Sequence, residues 1–348
     1  MTNFLDQLPK HIREIAESVN VLTPEAVLTT PRIKFLDTRT KSLYTLVRKC
    51  TPDDVRVLKD AAAKWLAETP LSADSLFKPL ANVKWSRVSF GCSALDRCTG
   101  GGVVTRGITE ICGAAGVGKT QLLLQLALCV QLPVKLGGLG RGVAYICTED
   151  AFPARRLLEM SKALEARYPQ EQLNFLGNIF VEHQYESQPL INCVSNRLPR
   201  LLQQHSIGLI IIDSVAAIFR LYTDFLERAR QMRRLADALI SYADKYNCAV
   251  VCVNQVASSG SGLATGPLQD EVPCLGLQWA HLGRTRMRIS RVPKQHRVKD
   301  QLLTVRKLEV VYSPETPNSF AEFLITSEGV VDVPAELPAR PPAKMRRL

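Results

Sequence analysis

The sequence contains no run of eighteen apolar residues, so no segment has the length and hydrophobicity of a transmembrane helix. Its ten cysteines (Cys50, Cys92, Cys98, Cys112, Cys129, Cys147, Cys193, Cys248, Cys252 and Cys274) include no C-x-x-C pair, and their spacing supports neither a zinc site nor a disulfide framework. Cys112, Cys147, Cys248 and Cys252 sit in or beside apolar strand-like runs, where cysteine acts as a small hydrophobe, and a reducing compartment is expected. Met1–Gln7 lacks a basic segment followed by an apolar stretch, so secretion is not expected. A long basic import run is missing too; Lys344-Met345-Arg346-Arg347 is a weak candidate for one.

What is present describes a soluble globular chain of 348 residues, 46% hydrophobic, long enough for a full-sized core and a smaller second domain. The net charge of +11 suits an anionic partner. The excess is concentrated. Between Arg284 and Lys307 lie nine basic residues (Arg284, Arg286, Arg288, Arg291, Lys294, Arg297, Lys299, Arg306, Lys307) and one acid, Asp300. The alternative meaning of that run is an ordinary solvated face.

Gly113-Ala114-Ala115-Gly116-Val117-Gly118-Lys119-Thr120 reads G-x-x-x-x-G-K-T. The residues before it, Gly107–Cys112, have the composition of a buried strand, and Gln121–Leu128 after it read as a helix with a wide apolar face. That setting is what a phosphate-binding P-loop requires. The glycines let successive backbone N–H groups turn toward the same oxygens, and the helix N-terminus adds the positive end of its dipole. Lys119 is then expected to reach the β- and γ-phosphates of ATP, and the Thr120 hydroxyl to ligate Mg²⁺.

Along the chain, residues 1–66 read as a small helical domain with helices over Leu8–Ser18, Pro24–Leu28, Lys41–Lys49 and Pro52–Leu66. Thr23-Pro24-Glu25 and Thr51-Pro52-Asp53-Asp54 each place a cap, a first-turn proline and first-turn acids where helices begin. Residues 67–85 read as a linker, 86–332 as the core, and 333–348, rich in proline and basic residues, as a disordered tail. Within the core, apolar strands alternate with helices: Ile108–Cys112, Val143–Thr148, Ile179–Glu182, Leu209–Asp213, Ala249–Asn254, Arg284–Arg291 and Lys307–Tyr312. The alternation predicts a mostly parallel twisted α/β sheet with helices on both faces. The last two strands bracket Val292–Val305 and read as a hairpin at a sheet end.

In a parallel sheet all strands present their C-terminal ends on one edge. Glu149, just past one strand, and Asp213, after four aliphatics, therefore face the P-loop. Asp213 is the better metal-side acid, because a carboxylate in that position is costly without a cation. Glu149 is the better acid for orienting an attacking water, although a plain strand-end acid is its alternative. Asn254-Gln255 ends a third strand, where an amide can sense the γ-phosphate.

Thr148-Glu149-Asp150-Ala151-Phe152 with Arg155-Arg156-Leu157, Ile211-Ile212-Asp213-Ser214, Ala229-Arg230-Gln231-Met232, Val253-Asn254-Gln255-Val256, Ala280-His281 and Tyr312-Ser313-Pro314 together resemble the eukaryotic and archaeal RecA-type DNA recombinases over roughly residues 86–332. Gly137–Leu139 and Tyr145–Pro153 are most similar to one of that family's paralogs. The resemblance implies a RecA-like P-loop ATPase core using ATP and Mg²⁺, with Glu149 activating water, Gln255 sensing the γ-phosphate and Arg156 stacking on adenine. His281 then approaches a nucleotide held by a neighbouring subunit. It implies two DNA-facing loops, one over Arg220–Arg230 continuing to Met232, Arg233 and Arg234, the other over Ala257–Val272. Arg220, Arg228, Arg230, Arg284, Arg286 and Arg288 are the expected DNA contacts, with Tyr222 and Phe225 as the first loop's stacking aromatics. On a strand, the last three arginines share one face and are exposed or buried together.

The departures are as informative. The P-loop interior is Ala114-Ala115, and Asp150 stands where the recombinases have glycine. The first loop lacks their Arg-Gly-Glu run, residues 34–42 lack a Gly-x-Gly turn, and Pro70-Leu71-Ser72-Ala73 lacks the aromatic of their Phe-x-x-Ala plug. These point to an accessory ATPase of homologous-recombination repair, nuclear, working on single-stranded or branched DNA with a sister paralog and the main recombinase. A self-sufficient filament-forming recombinase and an assembly subunit with negligible turnover are the alternatives. A metabolite kinase gains nothing from the basic hairpin.

Overall fold

The structure, a computed structural model, describes residues 4–36, 50–66, 85–149, 151–171, 173–220, 222, 224–258, 271–298 and 301–334. The chain divides into two compact units, Met1–Asn82 and Val83–Leu348. The expected helix Lys41–Lys49, the linker with Pro70–Ala73, Asp150, most of the second loop and all of the tail beyond Pro334 lie outside the described residues.

The first unit has α1 (Lys10–Ser18), α2 (Pro24–Thr29), α3 (Arg32–Leu36) and α4 (Pro52–Leu66), preceded by a 3₁₀ turn over Phe4–Gln7. Its caps follow the sequence signals. Thr23 Oγ1 accepts from the Ala26 amide at 3.2 Å, while Thr51 and Asp54 exchange bonds, the Asp54 carboxylate accepting from the Thr51 amide at 2.9 Å. Ile12, Ile15, Val27, Phe35, Val55 and Leu58 meet in a small core of their own.

In the second unit, β1 (Arg87–Val88) pairs with β2 (Val103–Val104) around α5 (Ser93–Cys98). The large sheet is then built from β3 (Ile108–Gly113), β4 (Gly142–Cys147), β5 (Ile179–His183), β6 (Ile207–Asp213), β7 (Ala249–Ser258), β8 (Glu271–Pro273), β9 (Thr285–Val298), β10 (Gln301–Tyr312), β11 (Ser319–Thr326) and β12 (Gly329–Asp332). Its order is β12-β11-β10-β9-β3-β7-β6-β4-β5, with β8 beside β7. Strands β9, β3, β7, β6, β4 and β5 run parallel and β10 to β12 antiparallel. This is the mostly parallel α/β sheet that the alternation predicts.

Helices α6 (Lys119–Cys129), α7 (Ala154–Arg167), α8 (Ser187–Asn192), α9 (Leu198–Gln204), α10 (Val215–Phe219), α11 (Phe225–Tyr246) and α12 (Gly276–Ala280) complete the unit. The sheet separates two apolar clusters. One gathers α6 with Val143, Tyr145, Leu209, Ile211 and Val253, the other α9, α10 and α11 with Ile146, Ile210, Ile212 and Val250. Leu209–Ile212 are wholly buried because a central parallel strand is covered on both faces, so it reads as an unbroken aliphatic run.

The antiparallel end departs from expectation. Val292–Val305 is not a connecting loop: β9 and β10 stay paired as far as Val298 and Gln301. Nor is this hairpin the sheet's end, since β11 and β12 follow it. The last residue of β12, Asp332, caps α5 from far along the chain. Its carboxylate accepts from the amides of Ala94 at 2.7 Å and Ser93 at 3.1 Å and from Cys92 Sγ at 3.1 Å, where Cys92 itself offers no side-chain cap. Burial works against the charge, yet these donors outweigh it and hold the Asp332 carboxyl below the usual carboxylate range.

Asp332→Asn is expected to destabilise the second unit by about 1 kcal/mol near neutral pH, as loss of a cap does. Because the folded-state acidity of Asp332 is depressed, its contribution is present above the unfolded carboxylate range and disappears as pH falls through the folded value. Melting temperatures of wild type and variant should therefore converge on acidification from pH 6 toward about pH 3; a constant gap refutes the assignment.

Candidate functional site

The C-terminal edges of β3, β4, β6 and β7 meet at one cleft of about 380 Å³, lined by residues that include Ala115, Gly116, Gly118, Lys119, Thr120, Glu149, Asp213, Ser214, Gln255, Arg306 and Ile325. Two glycines of the loop are dictated locally. A Cβ on Gly113 would lie 2.3 Å from the carbonyl oxygen of Ile289, and Gly118, the residue before α6, takes a φ of +108°. The loop thus bends tightly over β3 and delivers Lys119 and Thr120 as the first residues of α6.

Lys119 Nζ donates to the carbonyl oxygens of Gly113 and Ala114, both at 2.8 Å. Burial lowers its proton affinity, while Asp213 and Glu149 act in the opposite sense. Thr120 Oγ1 donates to Asp213 Oδ2 at 2.9 Å, and Tyr145 Oη donates to that same oxygen at 2.9 Å. Burial pushes the Asp213 carboxyl up and the two hydroxyl donors pull it down, with Glu149 adding repulsion. A half-buried lysine, a hydroxyl, a carboxylate and the glycine-bearing loop fit a polyphosphate with a hard divalent cation.

Glu149 belongs to a chain of polar contacts. Its Oε1 accepts from Gln255 Nε2 and, at 3.1 Å, from Ser214 Oγ. The other end of the Gln255 amide accepts from Arg220 at 2.6 Å. The structure therefore brings together Gly113, Ala114, Ala115, Gly116, Val117, Gly118, Lys119, Thr120, Glu149, Asp213, Gln255 and Arg220. Arg156, on α7, is adjacent: it donates to Gln121 Oε1 at 2.8 Å and to the carbonyl oxygens of Ser327 and Thr326.

His281 is elsewhere. It follows α12 and precedes β9, whose Thr285 pairs with Thr109 near the start of β3, so it stands at the sheet edge opposite the P-loop.

The expected DNA contacts separate into two groups. In the first loop, Asp224 caps α11 by accepting from the amides of Leu226 and Glu227, so the segment expected as a loop through Arg230 is already helical from Phe225. Arg228 and Arg230 lie on that helix, Arg228 over the exposed ring of Phe225 and Arg230 beside Glu227. Tyr222 is not a free stacking ring: its hydroxyl meets Ser187 Oγ and it packs on the core beside Phe219.

The second group is engaged within the chain. Arg284, Arg286 and Arg288, the expected contacts on the hairpin, are each matched by a glutamate of their own chain. Arg284 pairs with Glu315 at 2.9 Å, Arg288 with Glu309 at 2.9 Å, and Arg286 with the fully buried Glu110 at 2.5 Å. Glu110 also accepts from Asn254, next to Gln255. Strand periodicity left exposure and burial open; what decided was Glu110 on β3, whose register places it beside Arg286.

Five participants escaped the sequence reading. Tyr145, Ser214 and Gln121 are polar residues inside otherwise apolar or capping contexts, and Arg291 with Arg306 was submerged in the basic count. Their signal was register: Arg291 lies opposite Arg306, and Ile289, two residues earlier on β9, touches the P-loop.

Fold and site together define a RecA-like P-loop protein. The family model described as Rad51 matches residues 83–333. DNA repair protein XRCC3 of Bos taurus is 40% identical over 262 residues, 71% of this chain and 75% of that protein. DNA repair protein XRCC3 of Mus musculus is 33% identical over 305 residues, 81% and 86% of the two chains. DNA repair and recombination protein RadA of Cenarchaeum symbiosum (strain A) is 29% identical over 303 residues, 85% and 69%. The chain belongs to the Rad51 family, as an XRCC3-like RecA-type paralog.

Truncating one partner of a buried ion pair strands the other charge. Glu110→Ala is accordingly expected to cost about 3–5 kcal/mol of stability, read by denaturant unfolding. An unfolding midpoint unchanged from wild type contradicts the buried Arg286 pairing.

Proposed function

We propose that this chain is an ATP-binding, DNA-dependent ATPase paralog of homologous-recombination double-strand break repair. It works in the nucleus, assisting the main recombinase on single-stranded or branched DNA within a complex containing a sister paralog. The names of its relatives as DNA repair proteins support the repair setting. The same reading takes residues 1–66 as a helical domain, 67–85 as a linker, 86–332 as the ATPase core and 333–348 as a tail.

The observation that carries the proposal is the contact chain Arg220–Gln255–Glu149 in the same cleft as Lys119, Thr120 and Asp213. Lys119 leaves its two carbonyl partners to bind the β/γ oxygens, and the loop amides orient them. Thr120 and Asp213 are suited to hold Mg²⁺, Asp213 through water; when bound, that ion neutralises charge on the same oxygens. Glu149 orients the attacking water once Gln255 releases its carboxylate. Arg220, at the entry to the first loop, grips the far end of that amide. A DNA phosphate that draws Arg220 away removes the grip, which makes turnover depend on DNA. Arg156 is suited to the adenine side, and His281 to a neighbour's nucleotide. Arg228, Arg230 and the exposed Phe225 are the remaining first-loop contacts for DNA.

A second reading, an assembly subunit with negligible turnover, is favoured by one feature: Glu149 is held by both Gln255 and Ser214. Turnover by the purified chain separates the two. Glu149→Gln is expected to retain ATP binding and to lower DNA-stimulated hydrolysis about 100-fold or more. Lys119→Ala is expected to weaken ATP binding itself, measured by equilibrium titration. No wild-type hydrolysis above background, with or without DNA, leaves the assembly role standing and the ATPase role refuted; hydrolysis that DNA does not stimulate refutes the DNA dependence. DNA affinity should fall as salt rises from about 50 to 200 mM, through counterion release; salt-independent binding contradicts phosphate contact.

A further inference from the structure

Two hairpin arginines differ from their neighbours. Arg284, Arg286 and Arg288 each have a glutamate, whereas among the described residues Arg291 and Arg306 have no acidic partner. Both reach the P-loop instead. Arg291 Nη2 donates to the Gly116 carbonyl oxygen at 2.8 Å, and Arg306 Nε donates to that of Val117 at 2.9 Å. The two are cross-strand partners on β9 and β10, so register delivers them to consecutive carbonyls of one loop. Arg306 is half-buried and lines the nucleotide cleft with Lys119, Thr120 and Gln255. Its Nη1 is occupied by the Thr304 carbonyl oxygen. Guanidinium has five N–H donors in a rigid fork, and these two contacts leave donors unspent at the cleft.

We propose that Arg306 is a polyphosphate-binding residue supplied in cis by the β9–β10 hairpin, and that Arg291 braces the loop beside it. The inference rests on the nucleotide-binding reading above and deepens it. Lys119, Arg291 and Arg306 gather three positive charges at one loop, and the proton affinity of Arg306 is lowered first by burial and then by Arg291. Such a cluster is relieved by a multiply charged anion. A guanidinium beside phosphate oxygens forms strong charge-assisted bonds, and it does so here without a residue from a second subunit. The basic hairpin thereby has a task at the nucleotide rather than at DNA for these two residues.

The test is equilibrium binding of ATP to the full-length chain for wild type, Arg306→Ala, Arg306→Gln and Arg306→Lys, with melting temperature of each nucleotide-free protein. Arg306→Gln can still donate to Val117 but carries no charge, so it separates bracing from phosphate binding. Arg306→Ala and Arg306→Gln are expected to weaken ATP binding about tenfold or more, with Arg306→Lys partly restoring it and nucleotide-free melting little changed in Arg306→Gln. ATP affinity of Arg306→Gln within twofold of wild type overturns the inference while leaving nucleotide binding intact. Wild-type protein that binds no ATP overturns the nucleotide reading and this inference together.

Discussion

A carboxylate at the end of a buried strand organises this molecule. Asp213 follows four aliphatic residues with no exposure, and burial there raises the cost of its charge. It is tolerated because two hydroxyls from different elements, Thr120 on α6 and Tyr145 on β4, converge on one of its oxygens. That single atom ties the P-loop helix to two adjacent strands, and its other oxygen remains for a ligand. The parallel sheet supplies the rest, since it aligns the ends of β3, β4, β6 and β7 on one edge.

Around that point the structure places some polar residues on rigid elements and links others through side-chain contacts. Lys119, Thr120 and Asp213 are fixed by the loop, the helix start and the buried strand. Gln255 and Glu149 are connected to Arg220, which closes the short helix α10 just before Tyr222 and the cap at Asp224. Under the proposed function, binding rests on these rigid elements and the response to DNA on the side-chain chain Arg220–Gln255–Glu149. The hairpin of β9 and β10 completes the enclosure from the third side, through Ile289, Arg291 and Arg306 against the loop.

Much of this was legible in the sequence because it is local. The P-loop pattern, the aliphatic run before Asp213, and the caps at Thr23 and Thr51 each announce their structure within a few residues. Gln255 and Glu149 were found from strand ends alone, since a parallel sheet turns such positions into a common edge. What escaped depends on pairing between distant segments. Glu110 neutralises Arg286 only because β3 and β9 are neighbours in register, and that fact draws one arginine of the basic run into an internal ion pair. The same holds for Asp332, which caps a helix more than two hundred residues earlier. The segment expected to face DNA over Arg220–Arg230 is shorter as a loop, because Asp224, a strong N-cap residue, starts a helix at Phe225.

The most direct measurement of the central claim, that Asp213 and Thr120 form a metal-assisted triphosphate site, is ATP titration of the full-length chain with and without Mg²⁺, for wild type and Asp213→Asn. Asparagine preserves shape and removes the charge that justifies the cation. The expected result is that Mg²⁺ tightens wild-type binding about tenfold or more and leaves Asp213→Asn unmoved. Equal Mg²⁺ dependence in the two proteins contradicts it.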